Sequence, residues 1–251
     1  MVDYKTHDKN GNSLNIIDNS PIEGYTSPAK RWANEPDWFE PTQEDLKCEL
    51  QLSALDFWEP LKQKVKEKEF SSQIEPYNNK WIPYLRKEGI MNDREGMLLS
   101  GLNGDTYTDS LSMPEAIKRS GKYLYDKDFK YPTELYNNLT CLHPVLDMFG
   151  PLGRTVLIKM NKGSFFVPHK DDPWLVRDCF RIAAFFGNTR NFEWEMCGQK
   201  VDIEPGRFYY IDTRKTHRTH SWQHSSIHLI VNIPKTWKNV MTLITNLERA
   251  P

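Results

Sequence analysis

From Arg154 to Pro234 the chain runs in short segments of alternating apolar and polar residues. They lie at 154–160, 164–168, 179–186, 192–196, 200–203, 207–211, 218–222 and 226–233, with turn-forming residues between them. Alternation with a period of two marks a strand that buries one face. Short strands at this spacing predict an antiparallel sandwich or barrel. Pro234 stops the last run, and residues 235–251 predict a short amphipathic helix.

Before Arg154 the spacing changes. Leu55, Phe57, Trp58, Leu61 and Val65 recur near every 3.6 residues and predict a helix from Ser53 to Phe70, kinked at Pro60. Gly96 to Ser100 predicts a strand, and Ser112, Met113, Pro114 and Glu115 carry a helix-start signal. Leu135, Leu139, Leu142, Val145 and Leu146 line one side of a second helix between Pro132 and Phe149. Residues 1–45 hold no sustained period and predict an extended polar arm, partly ordered by Tyr25, Trp32, Trp38 and Phe39. The expectation is a single domain over 1–251, mainly β with flanking helices. It comprises the arm (1–45), a helical and mixed support (46–150), a β core (151–234) and a closing helix (235–251).

Composition narrows the partners. A net charge of −1 gives no electrostatic reason to expect a nucleic acid or a membrane surface. No uncharged apolar run approaches the length of a membrane span. Cys48, Cys141, Cys179 and Cys197 form no CxxC pair, which points away from a zinc ribbon or a disulfide scaffold and toward a reduced, cytoplasmic chain. The first residues lack the pattern of a signal peptide.

The candidate chemistry sits at the ends of the β runs. His169 and Asp171 follow the run 164–168 and, two positions apart, share a face if the strand persists, with Lys170 turned away. Asp172 is the competing carboxylate. His217 lies beyond the run 207–211, where a turn can aim its ring, while His220, His224 and His228 read as strand or loop residues. Two histidines and a carboxylate are the ligands of a facial triad that leaves positions open on iron(II). Zinc is also a reasonable occupant of a His-rich site.

These segments carry a family resemblance. Val167–Asp171 (VPHKD), Arg181–Ala184 (RIAA), Pro205–His217 (PGRFYYIDTRKTH) and Ile227–Asn232 (IHLIVN) together resemble the non-haem iron(II), 2-oxoglutarate-dependent oxygenases. Within them the chain looks most like the aspartyl/asparaginyl β-hydroxylase branch, which includes some proline hydroxylases. The resemblance implies a double-stranded β-helix (jelly-roll) core with iron(II) held by His169, Asp171 and His217. The spacing from Asp212 that the resemblance implies selects His217 over His220. It also implies 2-oxoglutarate and O2 as co-substrates, and a dioxygenase that hydroxylates a free amino acid or a residue in a peptide or protein.

A dianionic co-substrate needs a buried cation. The family comparison assigns that part to Arg181, in an otherwise apolar run from Phe180 to Phe185. The branch also has an arginine two residues before the His-Leu pair of its last strand, where this chain has Ser226. His228, on the same strand face as Ser226, and Arg218, Arg154 and Lys159 are the candidates to replace it. Trp174, Trp222 and residues 101–110 are candidates to line a substrate pocket. The competing functions are a cupin-like metal-binding jelly roll and a catalytically silent binding module. The complete triad speaks against the second, and Ser226 speaks for it.

Overall fold

The computed structural model describes residues 41–84, 94–102, 124–171, 177–222 and 225–248, the single positions 113 and 116, and a short strand pair, Lys5–His7 with Ser13–Asn15. The remainder of the expected arm lies outside the described residues. So does the helix start at 112–115, except Met113, which is helical.

In chain order the principal elements begin with α1 (Gln43–Ser53), β1 (Trp58–Lys64), α2 (Glu67–Ile74), β2 (Ile82–Pro83), β3 (Arg94–Leu98) and β4 (Ser100–Gly101). Next come β5 (Tyr131–Pro132), α3 (Glu134–Asn138), α4 (His143–Leu146), β6 (Thr155–Met160), β7 (Phe165–His169) and β8 (Cys179–Gly187). The chain ends with β9 (Phe192–Met196), β10 (Gln199–Lys200), β11 (Arg207–Ile211), β12 (His217–Ser221), β13 (Ser226–Pro234) and α5 (Trp237–Asn246).

Two antiparallel sheets carry the architecture. The larger has the order β1-β11-β8-β13-β6-β3-β2, and the smaller β10-β9-β12-β7. From β6 onward the chain crosses between them: β6 large, β7 small, β8 large, β9 and β10 small, β11 large, β12 small, β13 large. This winding is the jelly roll, or double-stranded β-helix.

β8 shows why these residues take this place. Phe180, Ile182, Ala184 and Phe186 point to the outer side, into a core shared with Phe70 and Ile74 of α2 and Val240 and Leu243 of α5. Ala183 and Phe185 point inward and meet Phe192, Trp194 and Met196 of the smaller sheet. A strand buried on both faces becomes a continuous apolar run. The Phe70 and Phe186 rings stack with centroids 3.7 Å apart, fixing the helical layer against the sheet.

Residues 58–64 overturn the helix expected over Ser53 to Phe70. The segment is an edge strand beside β11, where the missing amide hydrogen of Pro60 breaks no central ladder. Its helix-like spacing arises because the strand buries residues on both sides: Trp58 joins the inner cluster and Leu61 the outer one. A helix does precede it, α1, which starts within the expected arm at a Thr42–Asp45 capping box. The helix expected between Pro132 and Phe149 is divided into α3, a 3-10 turn (Thr140–Leu142) and α4, with Pro144 in the first turn of α4. Its five apolar positions are all buried. Among the described residues no helix is long and apolar enough to cross a membrane.

Candidate metal centre

The centre begins with two neighbouring strands of the smaller sheet. His217, the first residue of β12, stands opposite His169, the last residue of β7, while Thr219 stands opposite Phe166. Between these pairs one residue of β12, Arg218, faces two of β7, Val167 and Pro168, a β-bulge. In a regular strand Phe166 and His169 would point to opposite faces. The extra residue lets Phe166 pack against the inner cluster that holds Leu98, Val156, Ile158 and Met160 while His169 meets His217, ring centroids 4.3 Å apart.

Backbone carbonyls set the tautomer of both rings. His169 Nδ1 lies 2.6 Å from the Val167 carbonyl oxygen, and His217 Nδ1 lies 3.0 Å from that of Lys215. A carbonyl only accepts, so each Nδ1 carries a proton, and in the neutral ring the lone pair then sits on Nε2. His217 is 6% exposed and stacks on Trp194, centroids 5.9 Å apart and rings inclined by 12°.

Asp171 is placed by the turn before β12. β7 ends at His169, and the Asp171 amide donates to the Thr213 carbonyl at 2.9 Å. Asp212 organises that turn: its side chain accepts from the Arg214 amide at 3.2 Å and from Arg214 Nε at 2.7 Å, and its carbonyl accepts from the Lys215 amide. One turn therefore supplies both the carbonyl that holds Asp171 and the carbonyl that orients His217. Asp171 Oδ1 lies 3.7 Å from His169 Nε2, and one ligand atom from each of His169, Asp171 and His217 falls within 4.8 Å of the others. Two imidazole nitrogens and one carboxylate oxygen at this spacing fit a single metal ion such as iron(II) or zinc.

Arg181 is joined to this group. Its Nη1 donates to Asp171 Oδ2 and, at 3.0 Å, to Thr213 Oγ1. Its Nε donates to Asn232 Oδ1 at 2.5 Å and its Nη2 to Asp126 Oδ2 at 3.2 Å. The cation in the apolar run of β8 thus meets two carboxylates of the chain itself. Asp126 is buried, and burial raises its pKa while the Arg181 and Arg154 charges pull it back. No local pattern marks Asp126 in the sequence: it stands in a short polar segment, Asp126–Asp128, and its burial comes from tertiary packing.

The other candidates separate by face. Arg218 turns outward onto Glu195 (2.6 and 3.0 Å), and Lys159 pairs with Glu95 at 2.9 Å. His220 also faces away from the triad, its ring 3.8 Å from that of Trp222. Arg154 is buried and donates to the Tyr84 hydroxyl at 3.2 Å. His228 points inward among Phe185, Phe192 and Trp194, with Nε2 3.1 Å from Ser226 Oγ. Burial alone lowers the His228 pKa to about 3. Asp172, Trp174, His224 and residues 103–110 lie outside the described residues. Arg94, absent from the sequence candidates, is buried, with its guanidinium 3.6 Å from the Phe166 ring centroid.

No family model and no curated protein matches the chain. Solved structures do resemble it. A prolyl-4-hydroxylase of Pseudomonas putida is 8% identical with a TM-score of 0.41, over 76% of this chain and 98% of that one. An oxidoreductase of the 2OG-Fe(II) oxygenase family from Burkholderia pseudomallei is 13% identical with a TM-score of 0.40, over 78% of this chain and 93% of that one. A predicted oxalate decarboxylase of Thermotoga maritima is 19% identical with a TM-score of 0.27, over 33% of this chain and 67% of that one. Likenesses at this level carry no argument about activity, which rests on the residues of the site.

Proposed function

We propose that the protein is an iron(II)- and 2-oxoglutarate-dependent dioxygenase that hydroxylates a free amino acid or a residue within a peptide. The observation that carries this reading is the convergence of His169, Asp171 and His217 within 4.8 Å. A bound iron(II) with 2-oxoglutarate would supply the activation of O2 that a C–H hydroxylation requires, with succinate and carbon dioxide as co-products. The chain's own part is to hold, orient and enclose.

His169 and His217 present Nε2 because their Nδ1 protons are committed to the Val167 and Lys215 carbonyls. Asp171 presents Oδ1, because Oδ2 is engaged by Arg181. Arg181 in turn is held by Asn232, Thr213 and the buried Asp126. A carboxylate with one oxygen tied back by Arg181 would offer a bound metal its other oxygen alone. Trp194, on which His217 stacks, joins Phe185 and Phe192 in an apolar cluster on the inner side of the site. In this reading Ser226 and His228 form part of the inner wall and Arg218 takes no part.

Succinate release is the test. The protein is incubated with iron(II), 2-oxoglutarate and O2, alone and with panels of amino acids and peptides. The expected result is succinate formation that rises with one class of substrate and vanishes in His217→Ala. Absence of succinate under every condition, from a protein that binds the metal, contradicts the reading.

A further inference from the structure

The chain lacks the last-strand arginine that its resemblance implies, and the inner faces of the two sheets point to what stands there instead. Ser226 opens β13 and lies opposite Met160 of β6, which lies opposite Arg94 of β3. Directly opposed residues project to the same face, so Arg94, Met160 and Ser226 form one inward row across three strands. Arg94 is 4% exposed, and its guanidinium lies over the Phe166 ring at 3.6 Å. Phe166 is in turn stacked toward His169, with centroids 6.1 Å apart. The guanidinium therefore lies inside the barrel, one aromatic ring away from a triad residue.

The smaller sheet faces that row with orphan hydrogen-bonding groups. Thr219 stands between Trp194 and Phe166, opposite each across its two strand pairings. Thr219 Oγ1 and Trp194 Nε1 belong to side chains 3% and 4% exposed and have no hydrogen-bond partner among the described residues. Burying such groups unsatisfied is costly, and each calls for an explanation. A cation, a hydroxyl and an indole N–H on one inner surface are the complement of a carboxylate.

We propose that Arg94 and Thr219, flanked by the indole N–H of Trp194, receive the distal carboxylate of 2-oxoglutarate. The assignment rests on the functional reading above. It places the anchor on β3 and β12 instead of on the last strand. A 2-oxo acid held at the triad through its oxo-acid end would meet this surface with its far carboxylate, and a 2-oxo acid without that carboxylate would gain nothing there.

Calorimetric titration of Mn(II)-loaded protein with 2-oxoglutarate and with pyruvate separates the two ends of the ligand. The unsubstituted protein is expected to prefer 2-oxoglutarate. Arg94→Met is expected to weaken 2-oxoglutarate by about ten- to a hundredfold while leaving Mn(II) and pyruvate unchanged. Thr219→Val is expected to weaken it by about two- to tenfold, without lowering the melting temperature of the ligand-free protein, because a methyl replaces an unsatisfied hydroxyl. Should Arg94→Met fail to fold, Arg94→Lys keeps the charge on Phe166 but loses the planar fork. Weakened 2-oxoglutarate binding in that variant supports the assignment, and unchanged binding overturns it. A preference for 2-oxoglutarate that survives in the folded arginine and threonine variants overturns the assignment alone. An unsubstituted protein that binds both acids equally, or neither, overturns the assignment and the functional reading together.

Discussion

His169 and His217 stand directly opposite each other on antiparallel strands, their ring centroids 4.3 Å apart. That pairing sets the faces of everything downstream on β12: His217, Thr219 and Ser221 are buried, while Arg218 and His220 are not. His217→Gln is therefore expected to abolish metal binding, and His220→Gln to leave it intact. Equilibrium dialysis with Fe(II) or Mn(II) under anaerobic conditions measures both. Loss of metal in His220→Gln with retention in His217→Gln would mean the register of β12 is wrong.

Arg181 holds the Asp171 oxygen that faces away from His169. Removing a partner of a metal ligand costs about 10- to 100-fold in metal affinity in comparable sites. Arg181→Met is expected to weaken Mn(II) binding by about that factor. Unchanged metal affinity, with weakened 2-oxoglutarate binding instead, would move Arg181 from supporting the metal ligand to binding the co-substrate.

His228 sets an acid limit on stability. Burial lowers its pKa from 6.5 to about 3, so between those values the unfolded chain binds a proton that the folded chain does not. Stability from this group is complete above the unfolded value and is lost as the pH falls toward about 3. Between pH 7 and pH 5 the loss is about 2 kcal/mol. Urea unfolding of metal-free protein at both pH values measures it. His228→Gln, which keeps a hydrogen-bonding group toward Ser226, is expected to remove that share of the pH dependence. An unaltered difference between the two pH values in the variant would show that His228 is charged or solvated in the folded state.

The β core was legible because its strands bury their residues regularly. Phe180, Ile182, Ala184 and Phe186 on one face of β8 and Ala183 and Phe185 on the other produce an apolar run that only a strand between two layers explains. β1 was not legible: Trp58 and Leu61 enter different cores, and their spacing imitates a helical stripe. Strand alternation led to Asp171, but the residue is held in place by the Thr213 carbonyl, a contact between segments some forty residues apart. Asp126 and Arg94 lie in short polar stretches that look solvated. Their burial is decided by packing against Arg181 and Phe166, which no local pattern encodes.

The most direct test of the metal centre is an anaerobic titration of the protein with iron(II) followed by 2-oxoglutarate, observed by visible absorption. One iron per chain is expected to bind without colour. A weak metal-to-ligand charge-transfer band is expected to grow to saturation only when 2-oxoglutarate is added, and to be absent in His217→Ala. No band in a protein that has bound one iron(II), or an identical band in His217→Ala, would contradict the assignment of His169, Asp171 and His217 as the iron site of a 2-oxoglutarate-dependent oxygenase.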